Sequence, residues 1–272
     1  MDKFQTAVNA VRVISAEAIN QANSGHPGLP LGAATVAFTL FDDFLKFNPK
    51  DPQFADRDRF VLSSGHGSML LYTLLHMFGY KITKDDLKNF RQLGSKTPGH
   101  PEYHHTPGVE VSTGPLGQGI ANAVGMAIAE TRLAAEFNRE GYPVVDHYTY
   151  CLCGEGCLME GIGYEASSLA GSLKLGKLIL LYDCNKITIE GSIDGVFDEN
   201  IPARQKAMGW QVLEVDGNDH NAIKRAILKA QAEKEKPSMI VCHTVIGYGA
   251  PNQGTAKVHG SPLGAENLEI MK

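Results

Sequence analysis

Apolar residues recur at helical spacing near the start of the chain. Phe4, Val8, Val11, Ile14, Ala18 and Ile19 fall on one face and predict an amphipathic helix over 4–22. Ser24-Gly25-His26-Pro27-Gly28 breaks it, and a second helix is expected over 31–46. Phe60-Val61-Leu62-Ser63 reads as a short buried strand, followed by a helix from Met69 to Phe78. From 91 to 116 periodicity gives way to Gly, Pro and His, which predicts a long loop, and a loop of that length in a compact domain is usually functional. An alanine-rich helix is expected from Gly117 to Asn138. The second half then alternates, with strands at 147–153, 178–182, 211–215 and 239–245 and helices at 160–172, 200–209 and 219–235.

Strand, helix, strand at this spacing predicts an α/β fold: one parallel sheet with helices on both faces. Ligands in such sheets sit outside the carboxyl ends of the strands. The polar, glycine-containing motifs fall at those ends: Ser63-Ser64-Gly65-His66, Gly154-Glu155-Gly156, Asp183-Cys184-Asn185 and Gly247-Tyr248-Gly249.

The chain has 272 residues, read as a single domain over 1–272, long enough to bury roughly 75% of the surface its unfolded form exposes. A net charge of -5 argues against a nucleic-acid surface or a basic membrane-binding face. No apolar run approaches the ~20 residues a bilayer span needs, and Met1-Asp2-Lys3-Phe4 does not begin a signal peptide. Five cysteines, an odd number, point to a reducing compartment, with the cytoplasm expected. Cys151, Cys153, Cys157 and Cys184 gather near the strand ends. A zinc or iron–sulfur site would need about four converging thiolates. No C-x2-C pair is present, so small buried thiols are expected.

Gly154-Glu155-Gly156 and Asn185 carry the clearest chemistry. Two glycines let the backbone approach a ligand, at the start of a helical segment whose N–H groups favour anions. A carboxylate and an amide oxygen from adjacent strand ends suit a hard cation, and magnesium takes one or two carboxylates together with phosphate oxygens. The competing interpretation is a plain tight turn. Histidines divide in the same way. His104, His105, His147 and His220 read as surface or satisfied polar residues and His76 as structural, whereas His26, His66, His100 and His259 each lie inside a glycine-containing motif.

These motifs resemble those of transketolase over nearly the whole chain. Gly154-Glu155-Gly156 is followed, after 26 residues, by the Asn-containing strand end that starts at Asp183. Ser24-Gly25-His26-Pro27-Gly28, Asp56-Arg57-Asp58-Arg59-Phe60, Ser64-Gly65-His66-Gly67-Ser68 and Thr97-Pro98-Gly99-His100-Pro101 match in order. So do Thr113-Gly114-Pro115-Leu116-Gly117-Gln118-Gly119, Met159-Glu160-Gly161-Ile162, and His259-Gly260 with Pro262-Leu263-Gly264. The resemblance implies a thiamin diphosphate-binding fold (the diphosphate, or PP, domain) and transfer of a two-carbon ketol unit from a ketose phosphate to an aldose phosphate. It further implies that Glu155, Asn185 and the Ile187 carbonyl bind Mg2+ (or Ca2+ or Mn2+), and that His66, Gly156 and His259 contact the diphosphate. Gly114, Pro115 and Leu116 would line the cofactor pocket, and His26, His100 and His259 would face the sugar as catalytic residues. Glu160, counted with the cofactor-binding set, and Glu165 would lie toward a dimer interface.

Two departures from the family stand out. Glu155 occupies a position where the family has Asp, and its arm is longer by one C–C bond, about 1.5 Å. Only eight residues follow Pro262-Leu263-Gly264. The expectation is therefore a split enzyme, in which a C-terminal transketolase subunit brings the pyrimidine-binding domain and its activating glutamate, in an α2β2 assembly. The rivals are the α subunit of a thiamin diphosphate 2-oxoacid decarboxylase or dehydrogenase, a non-catalytic regulatory relative, and a fragment of a longer enzyme.

Overall fold

The structure, a computed structural model, describes residues 2–272. The amino-terminal part is helical: α1 (Lys3–Ala22), α2 (Gly28–Gly32) and α3 (Ala34–Asp43). The helix expected over 31–46 is thus two segments that begin earlier and end sooner. Pro30 sits in the first turn of α2, where a missing N–H costs nothing, so the helix starts at Gly28. Ala33, at φ -90° and ψ 5°, closes that segment.

Next come β1 (Arg59–Leu62), α4 (Ser68–Met77), α5 (Lys84–Lys88) and α6 (Gln118–Phe137). The sheet continues with β2 (Thr149–Gly154), α7 (Glu155–Met159), α8 (Gly161–Ser172), β3 (Leu178–Cys184), α9 (Ile201–Ala207), β4 (Gln211–Asp216), α10 (His220–Ala232), β5 (Ser238–His243) and α11 (Ala265–Met271). The segment 91–116 holds neither helix nor strand, as its composition predicts.

All five strands are parallel, in the order β1-β2-β3-β5-β4. Successive residues serve opposite faces. Phe60, Leu62, Tyr150, Leu152, Ile179, Leu181 and Ile240 pack in one core with α1, α3, α4 and α10. Val61, Cys151, Cys153, Leu178, Leu180, Tyr182, Met239 and Val241 pack in the other with α6, α8 and α9. Burial on both faces explains why these strands read as continuous apolar runs.

This topology places the site. The chain leaves β1 for α4 on one face and leaves β2 for α8 on the other, which opens a crevice between their carboxyl ends. Register sets Gly154 beside Asp183 and Cys184 beside His243. After β5 the chain folds back: Ile246, Ala250, Val258, Leu263 and Leu268 pack on Ala16 of α1 and Leu31 of α2. That third cluster returns His259 to the crevice. Among the described residues no helix is long and apolar enough to cross a membrane.

Candidate active site

A cavity of about 240 Å³ opens at the carboxyl ends of β1, β2 and β3. Its wall includes His26, His66, Gly114, Leu116, Glu155, Gly156, Asn185, Ile187 and His259, which are most of the residues singled out in the sequence. They come from six separate stretches of chain. His100 stands at the rim: its ring lies 3.5 Å from where a Cβ on Gly114 would be. Tyr72 fixes its backbone by donating its hydroxyl to the Pro98 and His100 carbonyls at 2.9 and 3.0 Å. Pro115 and Glu160 are exposed and outside the cavity wall, as is Glu165.

Glu155 is 2% exposed. Its Oε1 accepts the main-chain N–H of Asn185 at 2.7 Å and of Lys186 at 2.5 Å. The longer arm of glutamate is what spans from the end of β2 to the turn after β3. Asn185 Nδ2 donates to Asp183 Oδ2 at 3.0 Å, and Asn185 Oδ1 accepts the Ile187 N–H at 3.0 Å. The Thr244 hydroxyl donates to the other Asp183 oxygen. Burial, then the nearby Asp183, pushes the Glu155 carboxyl up to about 8, and burial pushes Asp183 up to about 6. Neither carboxyl has a lysine or arginine side-chain partner among the described residues.

Two buried acids without a cation form a donor set that a divalent ion fits. A carboxylate, an amide oxygen and the Ile187 main chain gather at one wall, and an ion would supply the missing countercharge. Two N–H groups occupy Glu155 Oε1, so the ion would draw on the carboxylate's remaining lone pairs. The cysteines nearby are free thiols. Cys157 Sγ accepts the Ser63 hydroxyl at 3.3 Å and lies 3.6 Å from Ser64 Oγ. No cluster of three or more His, Cys, Asp or Glu side chains arranged for a metal occurs among the described residues.

Three imidazoles line the same cavity. Ring centroids lie 5.1 Å apart for His26 and His66, 5.2 Å for His66 and His259, and 5.8 Å for His26 and His259. Burial holds His26 down to about 4 and His66 down to about 3, and also lowers His100 and His259. All four are neutral at neutral pH, each with one N–H donor and one acceptor nitrogen. His259 Nδ1 is buried without a hydrogen-bond partner among the described residues. An orphaned polar atom in a cavity wall calls for a ligand. A glycine at 156 keeps the cavity floor open, since a Cβ there would lie 2.9 Å from Leu116 Cδ1. Both features fit a polar, anionic group such as a diphosphate.

The remaining histidines are structural or exposed. His147 is buried against Asp56, His220 pairs with Asp43, and His76 bonds the Ile82 carbonyl. Reading the sequence missed Arg91, whose guanidinium bonds Ser24 and His26, and Ser64, whose Oγ accepts the Gly154 N–H at 2.9 Å. Ser64 was within reach, lying inside a matched motif; Arg91 carried no local signal.

Comparison with known proteins agrees with this geometry. Residues 3–272 match the family described as "Transketolase, thiamine diphosphate binding domain". Transketolase of Geobacillus stearothermophilus is 57% identical over 270 residues, covering 98% of this chain and 40% of that protein. Transketolase from Leishmania mexicana superposes with a TM-score of 0.98 at 54% identity, over 100% of this chain and 41% of that one. Transketolase from Pichia stipitis in complex with sedoheptulose 7-phosphate gives a TM-score of 0.98 at 50% identity, over 99% and 40% respectively. The chain therefore spans about two fifths of the length of the relatives it matches. It belongs to the transketolase family, as a thiamine diphosphate binding domain.

Proposed function

We propose that this chain forms the diphosphate- and metal-binding half of a transketolase centre. Together with an aminopyrimidine-binding domain, it transfers a two-carbon ketol unit from a ketose phosphate to an aldose phosphate. The observation that carries this reading is one cavity lined by a carboxylate–amide pair, Glu155 and Asn185, and by three neutral imidazoles, His26, His66 and His259. The sugar phosphate bound by the Pichia stipitis relative supports the substrate class. The two-fifths coverage supports a centre whose other groups lie outside residues 1–272. We place two copies of this chain in the assembly, with exposed Glu160 and Glu165 toward the second copy, in a reducing cytoplasm that suits five free cysteines.

Thiamin diphosphate, when bound, supplies a nucleophilic thiazolium carbon that carries the two-carbon unit. Glu155, Asn185 and the Ile187 carbonyl hold Mg2+, or Ca2+ or Mn2+ in its place. His66, Gly156 and His259 bind the diphosphate, and Gly114 and Leu116 shape the pocket around the cofactor. His26, His100 and His259 bind sugar oxygens; a neutral imidazole donates to or accepts from an oxygen without introducing charge. The glutamate that activates the cofactor comes from that aminopyrimidine-binding domain.

The test is an assay of the chain reconstituted with a transketolase aminopyrimidine-binding domain, offered xylulose 5-phosphate and an aldose phosphate on one side and pyruvate on the other. Ketol transfer without pyruvate turnover supports the reading. Pyruvate turnover alone assigns the chain to 2-oxoacid chemistry. Absence of cofactor and metal binding, even with that domain present, assigns it a non-catalytic role.

A further inference from the structure

Arg91 reaches into the histidine cluster from the long loop and has no role in the reading above. Its backbone is left-handed, at φ 61°, and its N–H donates to the Thr97 carbonyl at 3.0 Å. That turn aims the side chain inward. Nη1 donates to Ser24 Oγ at 2.9 Å, and Nη2 donates to His26 Nδ1 at 3.4 Å.

A guanidinium has five donors and no acceptor. His26 Nδ1 must therefore be the acceptor, and the single proton of the neutral ring sits on Nε2. The Nε2 edge lies beside Gly260, where a Cβ would come within 3.1 Å of Cδ2 and 3.2 Å of Nε2. The missing side chain leaves that edge open to the cavity. A second proton is disfavoured by burial, by Arg91, and by His259 and His100. His66 stands close as well, and among the described residues no carboxylate bonds this ring.

We infer that Arg91 is a positioning residue that holds His26 as its Nε2–H tautomer, so that this imidazole meets the substrate as a hydrogen-bond donor to an oxygen and not as a base. The substrate part of this inference rests on the proposed function; the tautomer does not. Proton acceptance from sugar hydroxyls then falls to His100 and His259.

The tautomer is measured by ring-nitrogen NMR on the full chain, with the His26 signals assigned by their loss in His26→Gln. The expected result is the Nε2–H form alone from about pH 5 to 8. In Arg91→Met the Nδ1–H form appears and the titration of His26 moves up by about one pH unit, while Arg91→Lys restores part of both. A wild-type ring carrying its proton on Nδ1, or an Arg91→Met spectrum matching wild type, overturns the inference. If Arg91→Met does not fold, the wild-type tautomer decides alone. An Nε2–H ring in a reconstituted protein without ketol transfer would refute the function and leave the tautomer standing.

Discussion

The carboxylate of Glu155, at the end of one strand, accepts the main-chain N–H of Asn185, just past the end of the next, at 2.7 Å. This bond, with its companion to Lys186, ties the two turns that bear the proposed metal ligands. An aspartate is shorter by about 1.5 Å and cannot make both bonds from the same backbone. Its carboxylate would instead be free for the ion. Glu155→Asp is therefore expected to keep or tighten Mg2+-dependent cofactor binding. Glu155→Gln, which keeps an acceptor oxygen but loses the charge, should weaken it by about tenfold or more, or about 1.4 kcal/mol. Calorimetric titration of both variants checks this, and a large loss of affinity in Glu155→Asp would sink it.

Gly156→Ala separates packing from binding. The new Cβ would meet only the end of the Leu116 side chain, at 2.9 Å, and that side chain can move. Stability should fall by no more than about 1 kcal/mol. Affinity for thiamin diphosphate should fall by about tenfold, because the methyl group and the displaced Leu116 both intrude on the cavity. Thermal melts and titrations on one preparation test the pair of statements, and unchanged affinity contradicts the second.

Tyr72 is fully buried and gives one hydroxyl to two carbonyls, those of Pro98 and His100. Tyr72→Phe leaves both without that donor, at a cost of about 1–3 kcal/mol. Hydrogen exchange over 97–101 should accelerate while the strands keep their protection, since the bond pins the loop and not the sheet. Uniform acceleration would refute a local role.

The histidine cluster makes the fold acid-sensitive. The unfolded chain binds protons on His26 and His66 near pH 6.5, whereas the folded chain resists until about 4 and about 3. Between those values the unfolded state holds more protons. The contribution of neutral histidine is therefore complete above pH 6.5 and is lost as pH falls toward 4. Asp58 and Asp183, raised to about 6 chiefly by burial, and Glu155, raised to about 8, act in the opposite sense in the same range. The comparison is therefore wild type against His66→Gln: the variant should lose less stability between pH 6.5 and 4 in urea titrations. Parallel curves would contradict the assignment.

Much of this was legible in the chain because it is local or repeated. The strands around Tyr150, Leu180 and Ile240 show as apolar runs, since both of their faces are buried. The spacing from Gly156 to Asp183 shows because one helical crossover, α7 and α8, fits between two strand ends. Short elements escaped. α5 spans five residues, too few for periodicity, although Thr83 and Asp86 form a readable capping box. α11 shows little beyond Leu268, which packs in a cluster assembled from distant segments. Arg91 lies 65 positions from His26, and its role depends on a left-handed turn that no residue pattern announces. The length of Glu155 was visible, but not its use, because the N–H groups it reaches are backbone.

The central claim is that Glu155 and Asn185 build a metal-dependent diphosphate site on this chain. Its most direct test is calorimetric titration of thiamin diphosphate, with and without Mg2+, into the chain paired with a transketolase aminopyrimidine-binding domain, alongside Asn185→Ala. Binding that requires Mg2+ and falls by about tenfold or more in Asn185→Ala is the predicted result. Binding of equal strength without the metal, or in Asn185→Ala, would contradict the account.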